Sequence, residues 1–217
     1  LQLLSLILVI LEDFNPDIAL VIRVFLPPTK LKDDVMSAAC LPRAKTLCLQ
    51  IFKSLYLKDE ASKPHPLLEE ALWDMIAYLV AQLKAASLDS FSRYATKDAY
   101  ALPEQLCHYW APLLLAAFKD RRLMNFLTDA HGSLAGALLD RLVDILNECS
   151  LHPYDAAIVL AVYKAARQRH LSTAAILSDQ ALDHADNISD AHKMAIDAGH
   201  FVLPPQTGGG SAVARAS

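Results

Sequence analysis

Glycine is almost missing from the body of this chain of 217 residues, with Gly132 and Gly136 the only two before Gly199. Glycine is the usual supplier of the positive φ values that tight hairpins and bulges need, so a body this poor in it excludes a fold of many β-turns. Phosphate-binding loops of the G-x-G-x-x-G or G-x-x-x-x-G-K kind cannot be written with these glycines, which disfavours nucleotide chemistry. Long hydrophobic runs are also lacking. The stretch Leu1 to Leu11 stops at Glu12 and Asp13, and Ile18 to Pro28 carries Arg23, so neither reaches the roughly 18–20 residues of a membrane span. No basic leader or small-residue cleavage site accompanies 1–11, so an export signal is not expected. Cys40, Cys48, Cys107 and Cys149 are scattered without a C-x-x-C pair, which reads as reduced thiols in a reducing, intracellular compartment, cytoplasm or nucleus. The net charge of −4 carries no basic signature for nucleic acid.

Apolar content is what the chain has in surplus. Hydrophobic residues make up 54% and charged ones 20%, against averages of roughly 45–50% and 25%, and mean hydropathy is +0.26. Part of such an excess is expected to face a partner.

Proline punctuates the text into helix-sized pieces. Leu1 to Asp13 reads as a helix apolar on all sides, which places it centrally or at an interface. Asn15-Pro16-Asp17 supplies a cap, a first-turn proline and an early acid for a second helix to about Leu26. The β-branched content of these two runs also permits buried strands, but nothing elsewhere resembles a sheet to receive them. A short helix is expected over Lys32 to Ala39, then amphipathic helices over Pro42 to Leu57 and Leu67 to Ala86, the latter with Leu68, Leu72, Met75, Ile76, Leu79 and Leu83 in one stripe. Ser87 to Ala101 reads as a short helix or an ordered flap. From Pro103 to Phe118, Pro112 demands a kink or a break. A short helix ending at Leu127, the pair Ser133 to Cys149 and Pro153 to Arg169, and two shallow alanine-rich helices, Ser172 to Asp183 and Ser189 to Ala198, complete the set. The expectation is one all-α domain over 1–201, either stacked helical hairpins of a degenerate HEAT or armadillo kind or an irregular bundle, followed by a flexible tail over 202–217.

Chemistry is sparse. Gly132-Ser133-Leu134-Ala135-Gly136 imitates a nucleophile elbow but puts Leu134 where the serine must stand, so Ser133 reads as a helix N-cap after a glycine turn. Cys149 with His152, and Cys107 with His108, suggest zinc ligands on paper, yet helical geometry turns neighbours about 100° apart. Asp183, His184, Asp186, Asp190 and His192 form the densest set of potential ligands or proton carriers, with a solvated acidic connector as the plainer account. Lys119 with Arg121 and Arg122, and Lys164 with Arg167 and Arg169, read as solvated helix ends.

The aromatic residues Phe91, Tyr94, Tyr100, Tyr109 and Trp110 are the candidate partner-binding set, against the alternative that they fill the core. The expected function is a non-enzymatic scaffold or adaptor, a subunit of a larger complex, with no cofactor and no metal. Nucleic acid is disfavoured, and peripheral membrane contact through Leu1 to Leu26 is a weaker reading. The competing class is an enzyme or a small-ligand or metal-binding bundle, with its site near Asp183, His184, Asp190 and His192.

Overall fold

The structure, a computed structural model, describes residues 1–12, 15–58, 65–91, 101–120, 123 and 129–171. All of them lie in one compact unit, Leu1–Ala174. The second unit, Ala175–Ser217, lies outside the described residues, and so do the expected helices after Ser172 and the tail.

Among the described residues every regular element is helical and no strand occurs. The order is α1 (Gln2–Glu12), α2 (Pro16–Phe25), α3 (Pro28–Met36), α4 (Pro42–Tyr56), α5 (Leu68–Ala85), a single 3₁₀ turn (Leu88–Phe91), α6 (Leu102–Gln105), a π-helical turn (Leu106–Trp110), α7 (Ala111–Lys119), α8 (Asp129–Glu148) and α9 (153–171).

Local chemistry sets most of the starts. The Asn15 side chain accepts from the backbone N–H of Asp17 at 2.9 Å and of Ile18 at 3.4 Å, satisfying two of the free donors that open α2. Proline occupies the first turn of α2, α3 and α4. His152 Nδ1 takes the N–H of Tyr154 at 3.3 Å at the entry to α9.

Two expectations need correction, and a third is narrowed. Helix α3 begins at Pro28, four residues before Lys32, because Pro28 with its fixed φ starts the helix as effectively as the Pro16 of α2, and it ends at Met36 rather than Ala39. Helix α8 begins at Asp129, so Gly132 and Ser133 lie inside it; neither Gly132 nor Gly136 has a positive φ, and Ser133 caps nothing. At Pro112 the helical path neither breaks nor separates. Pro112 has no N–H to offer the carbonyl of His108, and the turn just before it widens instead, with the N–H of Ala111 reaching Leu106 O, five residues back.

The core is built on α4 and α5. Cys48, Leu49, Ile51, Phe52 and Leu55 of α4 and Leu72, Met75, Ile76, Leu79 and Leu83 of α5 are buried, so the expected stripe on α5 is a core face. Against them pack α1 and α7 on α4, α8 on α5, and α3 on both. Trp73 of α5 is buried, and the ring of His131 of α8 stacks on it at 4.3 Å with planes 8° apart.

Arginines fasten the helix ends. Arg23 of α2 donates through Nε to Leu55 O at 2.9 Å, and through Nη2 as well, while Tyr56 Oη donates to Leu26 O at 2.8 Å. Each helix thus satisfies a carbonyl that the other's C-terminus leaves free. Arg141 of α8 repeats the device on α5, donating to Leu83 O at 2.9 Å and Ala86 O at 2.7 Å. Arg169, read above as a solvated helix end, is half-buried and donates to Leu123 O at 2.7 Å.

Candidate interaction surface

Helix α1 is apolar except for Gln2, Ser5 and Glu12, and only one side of it meets the body of the protein. Leu4, Ile7, Leu8 and Leu11 recur at intervals of three and four and turn to the core, where Leu11 is buried. The opposite side carries Leu3, Leu6, Val9 and Ile10, all exposed. Helix α2 divides in the same way. Ala19 is buried and Ile22 packs on the core, whereas Ile18, Leu20, Val21, Val24 and Phe25 are exposed, Val24 at 77% and Phe25 at 75%.

Ten of the sixteen large hydrophobic side chains exposed among the described residues therefore fall within residues 1–25, on two consecutive helices. Burying a Val or Phe side chain contributes roughly 1.5–3 kcal/mol, and for Val24 and Phe25 most of that is unrealised in the isolated chain. The two helices bear one cation between them, Arg23, and its guanidinium is turned back onto Leu55 O. Their exposed acids are Glu12 and Asp17.

Beside this surface, a groove of about 490 Å³ runs between α1 and α4, floored by Leu8, Leu11 and Leu57 and edged by Lys53 and Lys58. Lys58 Nζ donates to Glu12 O at 3.1 Å, tying the end of α1 to the end of α4.

The aromatic set from the sequence is not brought together as one surface. Phe91 and Trp110 are buried at 1% and 2% exposure and belong to the core, Tyr109 is half-buried against it, and Tyr94 and Tyr100 lie outside the described residues. The exposed helical face was signalled by the all-round apolarity of Leu1 to Leu11, a pattern that marks an interfacial helix without showing which side stays uncovered.

The paper zinc pairs have other employment. Cys107 is buried, and burial pushes its thiol up to about 12, while His108 Nε2 faces Glu104 Oε2 at 3.0 Å and Asp155 Oδ1 at 3.9 Å. Cys149 Sγ donates to Leu88 O at 3.3 Å, and burial raises its pKa also. Among the described residues no group of three or more His, Cys, Asp or Glu side chains is placed to hold a metal ion. The set Asp183, His184, Asp186, Asp190 and His192 lies outside them. No helix among the described residues is long and apolar enough to cross a membrane. Comparison with protein-family models, with curated proteins and with solved structures returned no match.

Proposed function

We propose that this chain is a non-enzymatic helical binding module, a subunit or adaptor in a larger intracellular assembly, whose α1–α2 face docks an apolar helical segment of another protein. The observation that carries this reading is the concentration of exposed apolar side chains on two consecutive helices, Leu3, Leu6 and Val9 on α1 and Ile18, Val21, Val24 and Phe25 on α2, both otherwise anchored to the core. Charge favours a protein over a lipid surface as the occupant. Amphipathic helices that bind anionic membranes carry Lys and Arg on their polar side, whereas α1 and α2 offer Glu12, Asp17 and an Arg23 that is already engaged. Helix α4, bordered by α1, α3 and α7, favours an irregular bundle around a central helix over a row of stacked hairpins.

Gel filtration of native extract tests the reading. The wild-type chain is expected to elute in a species larger than the purified chain, and the double substitution Leu6→Asp with Val24→Asp, both at exposed positions, to return it to the size of the purified chain with unchanged helicity. Co-elution of the double variant with the larger species would contradict the reading, and flotation of the wild-type chain with lipid vesicles would assign the face to a membrane instead.

A further inference from the structure

On a different side of the core, α4, α5 and the α6–π-turn segment line an open pocket of about 330 Å³, within the range of small-ligand pockets. Its polar lining includes Lys45, Tyr78, Gln82 and Gln105, and Leu102, Pro42 and Trp110 supply apolar wall. No Asp or Glu among the described residues lines it, and none of their carboxylates pairs with Lys45. Among the described residues the ammonium of Lys45 is held by one polar neighbour, the hydroxyl of Tyr78, at 3.0 Å. It lies 5.3 Å from the centroid of that ring, so it sits beyond the hydroxyl end rather than over the face. A half-buried cation fixed in position without a counter-ion presents its remaining N–H donors to whatever enters.

The widened turn forms part of this wall. Trp110 closes the π-helical segment and Gln105 directly precedes it, and single π turns inside helices are frequent at functional sites. An arrangement of one ammonium, one phenol hydroxyl and primary amides beside Leu102 and Pro42 matches a singly charged head on an apolar body.

We propose that this pocket binds a small organic carboxylate, with Lys45 as its charge anchor, Tyr78 positioning Lys45, and Leu102 and Pro42 taking the apolar part. The site is independent of the α1–α2 face.

Benzoate is the probe, with neutral benzamide and inorganic phosphate as comparisons, measured by calorimetry on the full chain. Cys40, half-buried at the edge of the pocket, reports location through its alkylation rate, since Cys48 and Cys107 are buried with thiols raised to about 11 and about 12. Benzoate is expected to saturate one site, to slow alkylation of Cys40, and to bind about tenfold or more tightly than benzamide, the contribution of a charge-assisted hydrogen bond. Lys45→Met should lose about tenfold in affinity, and Lys45→Arg, which keeps the charge, should retain most of it. The proposal is overturned by no saturation up to about 10 mM, by equal affinity for benzamide or phosphate, or by benzoate binding that leaves Cys40 alkylation unchanged. Should Lys45→Met fail to fold, Lys45→Arg and the Cys40 protection decide the matter.

Discussion

Gly136 sits in the interior of α8 with a helical backbone and nothing within 4 Å of where a Cβ would stand. Its flexibility is therefore a cost to the folded state with no turn or close approach to justify it. Gly136→Ala is expected to raise stability by about 0.5–1 kcal/mol, read as a higher urea midpoint at unchanged slope. A lower midpoint would show that α8 needs the glycine. Buried titratable groups make a second prediction at this scale. Burial pushes Tyr56 from 10 up to about 12, Cys48 from 9 to about 11 and Cys107 from 9 to about 12. Between pH 9 and 12 the unfolded chain thus releases protons that the folded chain keeps, so stability from these groups is fully present below pH 9 and is lost as pH rises through that window. Urea midpoints should fall steadily above pH 9, and Tyr56→Phe should flatten the part of the decline above pH 10; a flat profile to pH 11 would contradict the burial described. Single residues were the least legible part of the text, because an aromatic such as Trp110 has the same letter whether it fills a core or meets a partner, and only packing decides.

Helix ends carry the distinctive energetics at the next scale. Arg141 satisfies two carbonyls at the C-terminus of α5 from a position 55 residues or more away in sequence, and Arg23 satisfies one, Leu55 O, at that of α4 from 32 residues away. Removing the guanidinium leaves half-buried acceptors without these charged donors, so Arg141→Met should cost about 1.5–3 kcal/mol by denaturant unfolding, with Arg141→Lys intermediate because an ammonium cannot span both oxygens. A change within about 0.5 kcal/mol would mean that water replaces it. Where a helix boundary depends on its own neighbours, the sequence is readable: Asn15-Pro16 opens α2, Pro42 opens α4, and the stripe on α5 predicts its buried face. Where two local signals compete, it is not. Gly132 and Ser133 resemble a stop and a cap, yet α8 runs through both, its buried Ala135, Leu138 and Leu142 held by packing on α5. Pro112 predicts a disturbance, and the π turn that absorbs it needs the surrounding core to specify which form the disturbance takes. Long-range fasteners such as Arg169 on Leu123 O have no sequence signature at all.

For the molecule as a whole, composition announces an all-helical body with more apolar residues than its core consumes, but a percentage has no location. Folding supplies it. The amphipathic helices α4 and α5 turn their stripes inward, while α1 and α2, apolar on more than one side, can satisfy only one side each and leave the remainder in water. The lysine-lined pocket was not legible, since Lys45, Tyr78 and Trp110 are separated by more than thirty residues at each step and meet only through the packing of three elements. The central claim is that the α1–α2 face is where another protein sits. Photo-crosslinking tests it most directly, with a photoreactive residue at Val24 and, as a control for mere hydrophobic exposure, at Tyr154 on α9, which is 83% exposed. In native extract the account predicts a discrete protein adduct from position 24 that Leu6→Asp abolishes and that position 154 does not form; equal labelling from both positions, or none from position 24, would contradict it.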